Sequence, residues 1–179
     1  MKLSKIISTM GALLLFAGLM FPQLTFAAPK AVHKGENWIS SVLQTKKGKI
    51  CFVHGEPRKS SGKYKRRGRT YLQVTHRPKE KIFDELSITA GYPYRKESEV
   101  TAEIDGQKRK LFTSGGSAWS YSAKEDLALV KAMRGGRQLV IRGVSARGTV
   151  TTDRYSLIGF TTAYIAAKNA CVGKQKRRQ

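Results

Sequence analysis

The feature that most constrains the fold is a series of short apolar segments separated by turns that contain glycine. Segments 71–76 and 100–104 alternate apolar and polar residues closely enough to indicate β-strands, and the short apolar run over 50–54, ended by Gly55, indicates another. Asp105-Gly106 follows the third segment and predicts a tight hairpin, because both residues tolerate positive φ. Strands and helices do not alternate along the chain, which argues against a parallel sheet. The sequence therefore predicts a mainly β fold, an antiparallel β-sandwich rather than a closed barrel.

One helix interrupts the strands, and a second element near the end of the chain is ambiguous. Ser122 and Glu125 fit a capping box, in which each side chain satisfies a backbone N–H of the first turn. Gly135-Gly136 predicts a left-handed cap at the other end. Four apolar residues fall on one side of this helix and are predicted to face the core, namely Leu127, Leu129, Val130 and Met133. Residues 161–170 fit a short helix or a last strand, and their alanines favour the helix.

Residues 1–27 have the pattern of a secretory signal peptide. Lys2 and Lys5 precede an apolar run of about 16 residues, which is shorter than the ~20 needed to span a bilayer. The run ends at Ala27 with small residues at the positions that a signal peptidase reads. We therefore expect cleavage after Ala27 rather than a membrane anchor. The mature protein is expected in the periplasm, associated with the outer membrane, or secreted.

The rest of the chain is predicted to hold one domain. Residues 28–35 are predicted to be a flexible N-terminal arm, 36–172 a single β-sandwich domain and 173–179 a basic C-terminal tail. The mature chain has two cysteines, Cys51 and Cys171, which allow one intramolecular pairing in an oxidising compartment. We expect a disulfide between them, and the alternative is two buried free thiols.

Positive charge dominates the chain, whose net charge is +22 at pH 7. Such a charge attracts polyanions and anionic membrane surfaces. Residues 58–69, here called the basic loop, contain no acid and are predicted to be long and mobile. We predict that the loop binds anions through Arg58, Lys59, Lys63, Lys65, Arg66, Arg67 and Arg69. The tail is predicted to contribute Lys174, Lys176, Arg177 and Arg178. The alternative is that these cations form only a solvated surface.

The sequence carries none of the common catalytic or metal-binding motifs. His33, His54 and His76 stand alone, whereas a metal site normally needs three or four ligands brought together. The segments around Ser117 and Ser145 lack the closing glycine of a nucleophile elbow. There is also no phosphate-binding loop and no CxxC pair. We therefore predict a protein that is not an enzyme and that has no metal site and no cofactor.

Several motifs stand in the order found in a known family. In the C-terminal half they are Ile104-Asp105-Gly106, Ala118-Trp119, the helix over 126–136, the segments 143–149 and 153–161, and Cys171. The N-terminal half matches more loosely, through Trp38, Cys51 and Gly91-Tyr92. This ordered set, over most of residues 36–172, resembles the invasion-associated locus B family of alphaproteobacteria. The resemblance implies an immunoglobulin-like β-sandwich, secreted or associated with the envelope and linked to host-cell invasion. It carries over no catalytic residues.

The sequence is compatible with two functions. The first is binding to anionic surfaces, such as lipopolysaccharide, anionic capsule or sulfated glycans of a host cell. The basic loop and tail lie outside the family motifs, so this function is inferred from their charge alone. The alternative is a periplasmic structural or assembly factor that contacts other envelope proteins. Nucleic acid is not expected as a partner in vivo. Salt separates the two functions, because counterion release makes polyanion binding steeply salt-dependent.

Overall fold

The computed structural model describes residues 28–173. The predicted signal peptide, 1–27, and the tail cations from Lys174 onwards lie outside the described residues. Within the described range the chain forms eleven strands, two α-helices and a short 3-10 turn at Pro78–Glu80. The strands are β1 Lys30–Lys34, β2 Ile39–Thr45, β3 Gly48–Gly55, β4 Lys59–Gly62, β5 Tyr71–Arg77, β6 Ile82–Thr89, β7 Glu99–Ile104, β8 Gln107–Ser114, β9 Ser117–Trp119, β10 Gln138–Val144 and β11 Val150–Ser156. The helices are α1 Ala123–Gly135 and α2 Phe160–Val172.

All eleven strands belong to one antiparallel sheet, in the order β1-β2-β3-β5-β6-β9-β8-β7-β10-β11-β4. The sheet curls, because residues near its two ends meet across the core. Trp38, just before β2, stacks on Tyr155 of β11 with ring centroids 6.4 Å apart. The indole Nε1 of Trp38 also donates a hydrogen bond to the Ser156 carbonyl oxygen at 2.8 Å. The prediction of a mainly β, antiparallel fold of sandwich type is confirmed.

One face of the curled sheet supplies the core. Val53, Val74 and Leu86 lie in register on β3, β5 and β6, and all three are fully buried. Leu139 and Ile141 of β10 belong to the same buried cluster. Burying an aliphatic side chain of this kind contributes about 1.5–3 kcal/mol to stability. The two helices pack against this face, so the opposite face of the sheet is left to carry the polar and charged residues.

Helix α1 confirms the predicted helix and corrects two of its details. The hydroxyl of Ser122 accepts a hydrogen bond from the Glu125 N–H, as a capping serine does. Leu127, predicted to face the core, is 54% exposed. Asp126 takes the buried position instead, because its carboxylate accepts a hydrogen bond from the Leu86 N–H at 3.1 Å. Gly136 is extended rather than left-handed, with φ −88°.

Gly136 is required for a close approach instead of a turn. A Cβ at this position would lie 2.6 Å from the Cγ2 atom of Ile104, too near for any larger residue without a shift. The ambiguous segment near the end of the chain is helical, as its alanines favoured. Ala163 and Ala167 of α2 are fully buried. Small side chains at these positions let the helix lie close to the sheet.

The predicted flexible arm is mostly a strand. Lys30–Lys34 forms β1, which pairs antiparallel with β2, so the expectation of a loose segment over 28–35 is wrong for these residues. The burial of β1 alternates between exposed and partly buried side chains. Pairing with β2 satisfies backbone groups of both strands, which outweighs the polar composition of the segment.

Candidate functional site

The basic loop begins as an ordered strand. Lys59–Gly62, β4, pairs antiparallel with β11, with Lys59 opposite Arg154. The Arg58 N–H extends this pairing by donating to the Arg154 carbonyl oxygen at 2.8 Å. The prediction of a long mobile loop over 58–69 is therefore wrong for its first part. The backbone edge of β11 explains the difference, because it offers hydrogen bonds that the local sequence pattern does not reveal.

Arg67 anchors the other end of the loop in the protein interior. Its guanidinium donates two hydrogen bonds of 2.6 Å to the two carboxylate oxygens of Asp153. The side chains of Arg67 and Asp153 are only 6% and 3% exposed. A third hydrogen bond, from Nε of Arg67, reaches the Ala90 carbonyl oxygen at 2.6 Å. Arg67 was predicted to bind an external anion, but its charge is already satisfied by Asp153.

Two tyrosine rings complete the surroundings of Arg67. The guanidinium carbon lies 5.5 Å from the centroid of the Tyr64 ring and 4.9 Å from that of Tyr92. Both distances are within the range of cation–π contacts. Burial lowers the pKa of Arg67, but its hydrogen bonds and charge interaction with Asp153 outweigh this and raise the pKa above its ordinary value. The Tyr92 hydroxyl is hydrogen-bonded to Thr151, next to β4 in the sheet.

The chain after Arg67 is held by a close backbone contact. The Gly68 N–H donates to the Gly91 carbonyl oxygen at 2.8 Å. A Cβ on Gly91 would lie 2.3 Å from the Gly68 carbonyl oxygen, so only glycine fits there. Gly91-Tyr92 was one of the looser family motifs, and the structure gives it a role at the end of the basic loop.

Two further cations of the loop are paired at the surface. Arg58 contacts Glu36 at 3.0 Å and Arg69 contacts Glu56 at 2.7 Å. All four side chains are more than half exposed, and exposed pairs of this kind contribute about 0–1 kcal/mol. Such pairs remain open to competition from an external anion.

The remaining four cations of the loop form its free charge. Lys59, Lys63, Lys65 and Arg66 are exposed. None of them lies within 4.0 Å of a carboxylate in the part of the chain that the structure describes. The positive charge of the loop is thus divided between a buried anchor, two surface pairs and these four side chains. The anion-binding role of the four remains a prediction, and the predicted tail cations Lys174, Lys176, Arg177 and Arg178 lie outside the described residues.

The predicted disulfide is confirmed. Cys51 on β3 is bonded to Cys171 on α2, with an S–S distance of 2.10 Å and Cα atoms 5.8 Å apart. The bond ties the second helix to the sheet across 120 residues of sequence. A loop of this length is stabilised by roughly 4–5 kcal/mol in chain-entropy models. A structural disulfide is typical of an oxidising compartment, which indicates export.

A buried polar cluster beside the disulfide was not found from sequence. Nδ1 of His76 accepts a hydrogen bond from the Asp84 N–H at 3.2 Å, and the Asp84 carboxylate accepts one from the Tyr164 hydroxyl. Lys168 Nζ donates to the same hydroxyl at 3.1 Å. Burial is the main cause that lowers the pKa of His76, which favours the neutral imidazole in the folded protein. His76 is fully buried, so the cluster joins α2 to the sheet rather than facing a substrate.

The histidines do not come together. His54 lies opposite Gln73, whereas His76 lies opposite Cys51, on the other face of the same strand pair. Among residues 28–173, no three His, Cys, Asp or Glu side chains are grouped closely enough to hold a metal ion. In the same range, no helix is both long and apolar enough to cross a membrane.

Comparison with known proteins identifies the family. The family model for the invasion associated locus B (IalB) protein matches residues 38–168. No curated protein and no solved structure matches the chain. The match covers well over half of the chain. It begins at Trp38, which contacts β11 across the core, and ends at Lys168 of the buried cluster. The chain belongs to the invasion-associated locus B family.

Proposed function

We propose that this protein is an exported, non-catalytic component of the cell envelope or cell surface that binds anionic surfaces through its basic loop. Family membership suggests an invasion-associated protein. The proposed ligands are the phosphates of lipopolysaccharide or the sulfates of host glycans. The observation that carries the proposal is the free charge of Lys59, Lys63, Lys65 and Arg66, which stands on a loop anchored at both ends.

Anchoring at both ends reduces the conformational entropy that the loop loses when it binds a ligand. Pairing of β4 with β11 fixes the start of the loop, and the Arg67–Asp153 pair fixes its end. The cations between them are therefore held close together before any ligand arrives. A ligand then orders only the side chains, whereas a fully mobile loop would also lose backbone freedom on binding. Phosphate and sulfate groups suit this arrangement, because lysine supplies charge and arginine a planar pair of donors.

The test removes the free charge without touching the anchor. We expect a variant with Lys63→Ser, Lys65→Ser and Arg66→Ser to keep its fold, since all three side chains are exposed. Its affinity for heparin and for lipopolysaccharide should fall. The slope of log affinity against log salt should also become shallower, because fewer counterions are released on binding.

The matched control removes the same number of exposed cations from another turn. Lys46→Ser, Lys47→Ser and Lys49→Ser lie around the β2–β3 turn, at the opposite end of β3 from β4. The two variants have equal net charge, so a difference between them reports position rather than total charge. Equal affinity and equal salt slope in both variants would show that the loop is not the site.

A further inference from the structure

The outward face of five neighbouring strands carries a row of charges that continues the basic loop. The strands are β4, β11, β10, β7 and β8, in that order. In one register row, Lys59 lies opposite Arg154, which lies opposite Val140. The row continues with Glu103 and ends at Lys108. Arg154 and Glu103 face away from the core, since their neighbours along the strands are buried, and directly paired residues share that face. Val140, in the middle of the row, is only 8% exposed.

A second row runs parallel to the first, two residues further along each strand. Ser61 lies opposite Thr152, and Thr152 opposite Arg142. Arg142 lies opposite Thr101, and Thr101 opposite Lys110. All five residues of this row carry hydrogen-bond donors and none of them is buried. Arg142 offers several donors in one planar group. We call the two rows together the cationic face.

Only two acids interrupt the cationic face among the described residues. Glu103 is held by Arg142 at 2.6 Å, and Glu99, at the margin, lies 3.4 Å from Lys110. Lys59, Lys108 and Arg154 have no carboxylate within 4.0 Å in the described chain. The face therefore keeps a positive excess. A shallow depression towards its β8 end is lined by Thr101, Glu103, Lys108, Lys110 and Arg142.

Aromatic side chains border the face at its β8 end. Phe112 lies opposite Trp119 of β9. The Tyr121 ring is 5.4 Å from that of Phe112, and its hydroxyl donates to Glu99 at 2.8 Å. Tyr121 is 54% exposed and Phe112 38% exposed. These two neighbouring rings are partly open to solvent and offer an apolar surface next to cations.

We infer that the cationic face and its aromatic border bind a linear sulfated glycan. This inference rests on the proposed function and names its ligand. Neighbouring strands lie about 4.8 Å apart, so Lys59 and Lys108 are separated by about 19 Å over four strand spacings. An extended chain with repeated sulfates can contact Lys59 and Arg154 at one end of that distance and Lys108 and Lys110 at the other. Its sugar rings can lie on Tyr121 and Phe112, while arginine forks hold sulfate groups.

The same geometry argues against lipid A as the ligand of this face. Acyl chains require a large apolar surface, whereas the exposed apolar side chains of this face are few and separate, with Phe112 and Tyr121 at the β8 end and Val150 on β11. The charges are also spread along the sheet rather than gathered to hold two phosphates of one compact headgroup. The face thus selects a long ligand with regular charges, and the loop adds attraction at one end.

The first experiment uses heparin oligosaccharides of increasing length. For the parent protein, affinity should rise with length until the chain spans the face and then level off. The variant Lys108→Ser with Arg154→Ser should bind the long oligosaccharides about tenfold more weakly and show a flatter length dependence. The matched control, Lys124→Ser with Lys131→Ser on the exposed side of α1, should bind like the parent. Equal affinities in the two double variants would overturn the inference.

The second experiment separates the Tyr121 ring from its hydroxyl. Tyr121→Phe keeps the ring and should bind heparin like the parent, whereas Tyr121→Ala should bind several-fold more weakly. Identical binding by both variants would show that the aromatic border makes no contact. Single-stranded DNA of similar charge serves as a competitor, and competition as strong as that of heparin would overturn the choice of a glycan.

The two proposals fail in different ways. If the loop variant loses heparin binding while the Lys108/Arg154 variant matches its control, the loop is the site and the cationic face is not. If the Lys108/Arg154 variant loses binding while the loop variant matches its own control, the face binds without the loop. A parent protein with no salt-dependent binding to heparin or lipopolysaccharide overturns both.

Discussion

Arg66 and Arg67 are adjacent and chemically identical, yet the fold gives them opposite roles. Arg66 is exposed, without a carboxylate partner in the described chain. Arg67 is buried in a two-pronged pair with Asp153 and lies between two tyrosine rings. The difference shows that the cations of the basic loop do not all have the same role. Some of them stabilise the fold and others are available for binding.

The largest expected effect tests that division directly. Arg67→Ala should lower the free energy of unfolding by about 3–5 kcal/mol, because it leaves the Asp153 carboxylate buried without a partner. Arg66→Ala should change it by less than about 0.5 kcal/mol, as exposed substitutions usually do. Denaturant unfolding measures both values.

A double variant checks the cause of the Arg67 effect. Arg67→Met with Asp153→Leu removes both charges and should recover much of the lost stability, because no uncompensated charge remains. If Arg67→Ala is as stable as Arg66→Ala, the two arginines do not differ in the way described. If the double variant is no better than Arg67→Ala, the packing of the guanidinium rather than the charge is responsible.

A smaller effect on the free energy of unfolding should come from the buried cluster around His76. Unlike Arg67, His76 is a buried base whose ring nitrogen accepts a hydrogen bond from a backbone N–H. Burial lowers the pKa of His76, so the unfolded chain takes up a proton near pH 6.5 that the folded chain does not. The free energy of unfolding should therefore fall as the pH drops below about 6.5, by at most about 1.4 kcal/mol per pH unit for this one group. Denaturant unfolding at several pH values measures this slope.

Two variants separate the contributions to that pH dependence. His76→Asn should reduce the slope, since its side-chain oxygen can still accept the hydrogen bond from Asp84 while no proton is taken up. The pKa of His54 is also lowered, first by burial and then by Arg69, so His54→Gln should remove a further part. An unchanged slope in His76→Asn would mean that His76 does not titrate between the folded and unfolded states.

The smallest expected effect concerns the residue that links the two parts of the loop. Tyr64 lies among the exposed cations, but its ring contacts the Arg67 guanidinium. Tyr64→Ala should lower stability by about 0.5–1 kcal/mol, and Tyr64→Phe by less, because phenylalanine keeps the ring face. Melting temperatures measured side by side would resolve the order. A Tyr64→Phe loss equal to that of Tyr64→Ala would assign the effect to the hydroxyl.

The elements that were predicted correctly are those that depend on short-range features of the sequence. The apolar run of β3, the alternation of apolar residues in β5 and β7 and the serine cap of α1 each have a physical cause within a few residues. The disulfide follows from the single cysteine pair and the oxidising compartment. The strand β4 could not be found in this way. Its sequence, Lys59 to Gly62, has no apolar residue, and it is a strand only because β11 offers an edge.

The anchor of the basic loop was missed for a related reason. Arg67 and Asp153 are 86 residues apart, and residue type alone does not distinguish Arg67 from its neighbours. A signal was nevertheless present in β11. Alternation places Asp153 on the same face as Tyr155 and Thr151, and a carboxylate facing the core requires a cation. Charge patterning by itself predicted a basic surface, but strand alternation around the few acids would have predicted which cation is buried.

The two strands at the ends of the sheet, β1 and β4, are short and positively charged, which affects how the protein associates with itself at high concentration. β1 has five residues and β4 has four, and both carry lysine. An unpaired strand edge is a template on which another chain can add and begin an aggregate. Here the edges are short, and a second copy that approached them would bring its own lysines against lysines of the same charge. The strands that present the cations thus also oppose edge-to-edge assembly of the protein with itself.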